Sequence, residues 1–153
     1  MKGKLLAFAI MVVFLLSLST AAVAQQGKGW RGSGGWGQGT PYNQLYDPSK
    51  VESIAGQVVK IEQSAPMSRM SQGVILTVKS EKETIAVHLG PSWYIERLDT
   101  KIAVGDKLGI KGVRTTFAGK PAILASEVTK GDDVLTLRDA NGVPVWAGWN
   151  RRR

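Results

Sequence analysis

Few side chains in this sequence are suited to catalytic chemistry. The chain has 153 residues, with one histidine, His88, and no cysteine, so a cysteine nucleophile and a disulfide are both excluded. A serine nucleophile would need His88 as its base, and no Gly-x-Ser-x-Gly motif accompanies that histidine. The acidic residues are scattered over predicted turns and strand exteriors, without the close grouping that acid–base catalysis needs. The sequence therefore favours a binding protein over an enzyme.

The residue types that could bind a metal are two methionines and the histidine. Met67 and Met70 lie in a polar loop, and exposed thioethers are soft ligands that select Cu(I). In a small barrel, His88 and the neighbouring Trp93 would lie near this loop. We therefore consider a copper or iron site formed by Met67, Met70 and His88. The alternative is that the methionines cap the open end of the barrel and His88 is a solvated strand residue.

The first 24 residues have the pattern of a secretory signal peptide. Lys2 and Lys4 precede an apolar run from Leu5 to Leu16, and Ala22-Val23-Ala24 places small residues at the −3 and −1 positions. We expect cleavage after Ala24 and a periplasmic or secreted protein. A retained membrane anchor is the alternative, because the apolar stretch could just span a bilayer core of about 30 Å.

Residues 25–47 are predicted to form a Gly/Trp-rich flexible spacer. Seven glycines between Gln25 and Thr40 leave almost no aliphatic side chain to offset the entropy of ordering. Trp30 and Trp36 are either incidental aromatics in a tether or side chains that dock on a partner or a membrane interface. At the other end, residues 150–153 form a basic tail.

The positive charge of the chain lies mainly outside its central part. The net charge is +8, but the body from Asp47 to Asn150 contains 13 basic and 12 acidic residues. Nucleic-acid-binding domains usually carry a basic face with stacking aromatic residues. The predicted strands at the centre of this chain offer neither, which argues against a nucleic-acid partner.

From Val51 onward, apolar residues alternate with polar ones, as in half-buried strands. Val74, Leu76 and Val78 are predicted to point inward on one strand, and Ile85, Val87 and Leu89 on the next. Pro91 can open a short helix, after which two further strands are predicted. Asn141-Gly142 lies between two apolar runs, 134–138 and 143–146, and indicates a hairpin.

This order of elements predicts an all-β fold. We expect residues 48–149 to form a small five-stranded OB-fold-like Greek-key barrel, with one short helix between strands 3 and 4 and a C-terminal β-hairpin. Another small barrel or a sandwich with a helical insertion is the alternative.

Two stretches carry a resemblance to a known family. His88-Leu89-Gly90-Pro91 with Trp93, and Gly142-Val143-Pro144-Val145-Trp146, resemble the OB-like domain of the magnetosome-associated MamS and MamX proteins. More loosely, the region from Val51 to Trp149 is similar to stress-induced periplasmic OB-fold proteins. The resemblance implies an envelope location and a non-enzymatic role, and it brings no established ligand residues.

The functional prediction is a non-enzymatic periplasmic or secreted binding or adaptor protein of the cell envelope, with an envelope protein as partner. OB-folds bind through the face of strands 2 and 3, while aromatic residues and arginines are common at interaction surfaces. Membrane contact is expected only through the signal segment or the basic and aromatic tails. The predicted ligand or partner face comprises Lys79, His88, Trp93, Trp146, Trp149, Arg151, Arg152 and Arg153. The alternative is a small metal-binding protein that handles copper or iron.

Overall fold

The computed structural model describes residues 34–147. The predicted signal peptide and Trp30 lie outside the described residues, as do Trp149 and the arginines at positions 151–153. Within residues 34–147, no helix is long and apolar enough to cross a membrane.

The described part of the chain is built mainly from strands. Two single-turn 3₁₀ helices, Asn43–Leu45 and Pro48–Lys50, precede the first strand. The strands are β1 (Val51–Ser64), β2 (Gly73–Ser80), β3 (Thr84–Pro91), β4 (Lys107–Phe117), β5 (Lys120–Lys130) and β6 (Asp133–Thr136). One helical turn, α1 (Ser92–Ile95), follows Pro91 and lies between β3 and β4. The all-β class and the short helix after the third strand are thereby confirmed.

The strands form one sheet in the order β3-β2-β1-β4-β5-β6, in which successive neighbours are antiparallel. One further pairing is parallel and joins Ala86–His88 of β3 to Ala122–Leu124 of β5. Each of the first five strands consequently pairs with strands on both sides, and the pairings run in a ring. β6 pairs with β5 alone among the described strands, so it forms an edge of the sheet.

Alternation along β2 and β3 places their apolar residues in the core. The predicted inward residues are all buried, each at most 8% exposed: Val74, Leu76, Val78, Ile85, Val87 and Leu89. At one end of these strands the alternation stops, because four consecutive residues of β2, 73–76, and five of β3, 87–91, are all buried. Consecutive buried residues require cover on both faces of the sheet.

The cover on the outer face comes from the segment that precedes β1. Trp36, Tyr42 and Tyr46 are buried members of the core, with exposures of 0%, 2% and 7%. The expectation of a flexible segment is therefore wrong for these three residues. Glycine creates the space they need: a Cβ on Gly73 would lie 2.2 Å from the Trp36 ring. The energy of burying large aromatic rings offsets the ordering entropy of the glycines around them.

The predicted C-terminal hairpin is reduced to a single bridge between Arg138 and Pro144. The strand that begins at Asp133 ends at Thr136 and pairs with β5. Two local features explain this difference. The Asp139 carboxylate accepts hydrogen bonds from the backbone N–H groups of Asn141 and Val143, which closes a tight turn. Pro144 has no N–H to continue a ladder.

Candidate functional site

The predicted binding face is the outer side of β2 and β3, and only half of it is open. The strand register places Ile75 opposite His88 at one end and Lys79 opposite Thr84 at the other. Ile75 and His88 are 6% and 5% exposed, whereas Lys79 is exposed. A ligand can therefore reach the Lys79 end of this face but not the His88 end.

His88 is covered by aromatic rings. Its Nδ1 shares a hydrogen bond of 3.0 Å with the Tyr42 hydroxyl, and its ring stacks on Phe117 with centroids 4.9 Å apart. Burial lowers the pKa of His88 to about 4, so the imidazole is neutral near pH 7. Burial also raises the pKa of Tyr42. His88 is thus neither the solvated strand residue nor the accessible binding residue that the sequence suggested.

Trp36 connects the covering segment to the loop between β1 and β2 and to the segment after β6. Its indole Nε1 donates to the Ser71 carbonyl at 3.0 Å, and its ring packs edge-on against Tyr42 with centroids 4.8 Å apart. Its own carbonyl accepts a hydrogen bond from Trp146. These contacts fix the segment over the outer face of the sheet.

Trp146 is a core residue. It is 2% exposed, and its ring lies 5.4 Å from that of Tyr94 and against Gly90, where a Cβ would be 2.8 Å from the indole. Its assignment to the partner surface is therefore wrong, because the ring has no free face. Trp93 is half-buried and packs against the core beside Tyr94.

Arg138 is a buried cation that was not among the predicted site residues. It is 4% exposed, and its guanidinium lies over the rings of Tyr46 and Trp146 at 5.1 and 5.6 Å. Its Nη1 donates to the Asn43 side-chain carbonyl and, at 3.3 Å, to the Gly142 carbonyl. No carboxylate forms an ion pair with it within residues 34–147, and burial lowers its pKa. Arg138 therefore links the segments before β1 and after β6.

No sequence pattern indicates this role, because Arg138 looks like an ordinary strand-end cation. Its charge is offset by π faces and neutral oxygens rather than by an acid. Such an arrangement depends on residues far apart in the chain, Asn43 and Tyr46 on one side and Gly142 and Trp146 on the other.

The proposed metal ligands lie in different surroundings. Met67 is 37% exposed, while Met70 is half-buried, with its Cγ 2.7 Å from where a Cβ of Gly35 would lie. The Nδ1 atom of His88 is already engaged by Tyr42. Within residues 34–147, no group of three or more His, Cys, Asp or Glu side chains could hold a metal ion. A site formed by Met67, Met70 and His88 stays a prediction.

The exposed surface around Lys79 contains a row of polar side chains that extends from β2 across β1 to β4. Lys79 of β2, Gln57 of β1 and Lys107 of β4 lie opposite one another in the strand register, and all three are exposed. Beside this row runs a shallow groove that includes Gly56 and Gly109. Lys79 was among the predicted site residues. Lys107 was not among them, because the Gly-Asp-Lys turn in which it lies is common to many OB-folds and is therefore no specific sign of a site.

Comparison with known proteins agrees with the resemblance seen in the sequence. Residues 50–135 match the MamS/MamX magnetosome protein family, so the match covers more than half of the chain. It includes β1 to β5 and nearly all of β6, whereas Trp36, Tyr42, Arg138 and Trp146 lie outside it. The search of curated proteins found no match. The chain therefore belongs to the MamS/MamX magnetosome protein family.

Proposed function

We propose that this protein is a non-enzymatic binding or adaptor protein of the cell envelope, built on a small barrel of the OB type. Membership of the MamS/MamX family supports an association with magnetosomes or with a related envelope structure. The observation that carries the binding role is the division of the β2–β3 face. Aromatic residues of the chain itself cover one half, and the half around Lys79 is open.

The pairing of the strands supports the OB-type barrel. The ring β1-β2-β3-β5-β4 is joined by the parallel contact between β3 and β5, and α1 lies between β3 and β4. Such pairings are expected of a five-stranded Greek-key barrel of the OB type, which binds its ligands on an outer sheet face and the adjoining loops.

The surroundings of His88 support a non-enzymatic role. A general base must reach the proton that it abstracts and must have a pKa suited to that transfer. His88 is buried, is engaged by Tyr42 and has its pKa lowered to about 4. The chain has no second histidine and no cysteine, so binding is the better-supported activity.

The envelope location rests on the first 24 residues and has its own test. We expect fractionation to place the protein in the periplasmic or culture fraction, with Gln25 as its first residue by amino-terminal sequencing. Recovery of the unprocessed chain in the cytosol would contradict the location. Recovery with Met1 in the membrane fraction would support the retained anchor instead.

Site-specific photo-crosslinking in cells tests the adaptor role. A photoreactive residue at position 79 is expected to form a discrete protein adduct. The same residue at position 120 serves as the control, because Lys120 is also exposed but lies at the far end of β4 and β5. Adducts of equal yield at both positions, or none at either, would contradict a specific partner surface at Lys79.

A further inference from the structure

In the polar row of Lys79, Gln57 and Lys107, the two lysines are spaced to bind a ligand with two negative charges. The three residues are direct cross-strand neighbours on β2, β1 and β4. Adjacent strands lie about 4.8 Å apart, so the two lysine backbones are about 10 Å apart. Flexible four-carbon stems let both ammonium groups reach a ligand lying across the strands.

The two lysines differ from those cations of the sheet that are paired with carboxylates. Arg114 binds Glu52 and Glu83, Lys111 pairs with Glu127 at 3.4 Å, and Lys130 pairs with Asp106 at 2.9 Å. The ammonium group of neither lysine, Lys79 or Lys107, has a hydrogen bond or ion pair with any residue between 34 and 147. Their charges are therefore available to a partner.

The floor of the groove contains a glycine that packing does not require. Gly56 is needed, because a Cβ there would lie 2.6 Å from Val78 and 2.7 Å from the Lys79 carbonyl oxygen. At Gly109 a Cβ would meet only the Thr129 Cβ, at an ordinary 3.7 Å, and the backbone is not left-handed. Glycine inside a strand weakens it and often marks a place where a ligand or another backbone approaches closely.

From these three observations, we propose that the groove binds an extended acidic segment of a partner protein, with carboxylates at alternate positions. Such carboxylates lie on one side of an extended chain, about 7 Å apart, within reach of Lys79 and Lys107. The backbone of the segment lies over Gly109. This inference rests on the proposed function and names the chemistry of its partner.

A nucleic acid is the competing anionic ligand, and the groove is less suited to it. Single-stranded nucleic acids are usually held by aromatic stacking in a strongly positive groove. No aromatic residue lines this groove in the described part of the chain, and the groove is not strongly positive, because Glu81 lines it together with the two lysines. An acidic peptide needs no stacking surface.

The test uses the full chain and three defined probes. These are a ten-residue peptide of alternating Glu and Thr, the same peptide with Gln in place of Glu, and a ten-nucleotide oligothymidylate. Amide NMR shifts on adding the Glu peptide are expected at Gly56, Lys79 and Gly109. Binding should weaken severalfold as salt rises from 0.05 to about 0.5 M, because exposed charges are screened.

Matched variants distinguish the contribution of the lysine charges to peptide binding from the contribution of the groove's shape. Lys79→Gln with Lys107→Gln is expected to weaken binding of the Glu peptide about fivefold or more, consistent with exposed ion pairs. Gly109→Val, which fills the groove and keeps every charge, should weaken it by a similar factor while the fold is retained. Lys120→Gln removes an exposed cation elsewhere and should leave the affinity unchanged.

Equal binding of the Gln peptide, or full binding by the double lysine variant, would overturn the inference. Tighter binding of the oligothymidylate would assign the groove to nucleic acid instead. If position 79 still forms its adduct in cells while the Glu peptide does not bind, the acidic partner is wrong and the adaptor role stands. Absence of any adduct would contradict the partner surface at Lys79 and with it this inference.

Discussion

The indole Nε1 of Trp146 donates a 2.8 Å hydrogen bond to the backbone carbonyl of Trp36, 110 residues earlier in the chain. Both rings are buried, and each packs against a glycine of the central sheet, Trp36 on Gly73 and Trp146 on Gly90. The segments before β1 and after β6 are thus integral to the fold.

The first prediction concerns Trp36 itself. Trp36→Ala removes a ring with 0% exposure and should lower the free energy of unfolding by about 3–5 kcal/mol, as large-to-small core substitutions do. Urea denaturation followed by circular dichroism measures the change. Gln38→Ala, two residues away at an exposed position, is the control and should change stability little. An equally small effect of both variants would show that the segment does not pack on the sheet.

The second prediction compares two glycines in strands. At Gly73 a Cβ would lie 2.2 Å from Trp36, whereas at Gly109 its nearest atom is 3.7 Å away. Gly73→Ala should therefore displace the indole, destabilise the domain and shift its tryptophan fluorescence. Gly109→Ala should be neutral or stabilise by about 0.5–1 kcal/mol, because alanine loses less entropy on folding. Similar unfolding midpoints for the two variants would contradict this packing.

The third prediction concerns pH. Burial lowers the pKa of His88 to about 4 in the folded protein, while the unfolded chain keeps a value of about 6.5. The unfolded state therefore binds the proton first, so the stability contributed above pH 6.5 is lost as pH falls toward 4. The expected loss from this residue is about 3 kcal/mol.

Denaturant titrations between pH 7 and pH 4 measure this loss, with His88→Gln as the comparison. The variant should have a shallower dependence of stability on pH, because the remaining slope comes from carboxylates alone. Parallel profiles for the two proteins would show that His88 is accessible to solvent and titrates normally.

The fourth prediction tests the soft-metal alternative. If Met67, Met70 and His88 bind Cu(I), one ion should bind per chain, and Met67→Leu and His88→Gln should each weaken it. Because Tyr42 engages Nδ1 of His88, ligation through that atom must displace Tyr42 and alter the environment of Trp36. Binding should therefore change tryptophan fluorescence. A flat titration on the folded chain would remove copper from consideration.

Local patterns in the sequence predicted the elements of the sheet well. Alternation identified the inward residues of β2 and β3, such as Leu76 and Val87, and Pro91 marked the start of α1. Each of these predictions depends on residues that are near one another in the chain. The same period-two pattern placed His88 on the outer side of β3, and that placement was sound.

What the sequence could not reveal was that another segment covers this outer side. Trp36 lies among glycines, a composition that usually indicates a flexible chain, and its burial depends on the missing side chain of Gly73. The burial of Arg138 could not be predicted either, because its partners are aromatic rings and neutral oxygens rather than an acidic residue. Both features arise from contacts between distant parts of the chain, and periodicity carries no information about such contacts.

The contacts that join the two segments also bear on how the domain folds. The Arg138–Asn43 and Trp146–Trp36 hydrogen bonds span 95 and 110 residues, and contacts of such large sequence separation incur a high loop-closure entropy. We expect them to form after the strands of the sheet have paired and to be largely absent from the folding transition state. Weakening them should then accelerate unfolding and leave the folding rate nearly unchanged. The two tryptophans would thus set the lifetime of the native state rather than the speed at which it is reached.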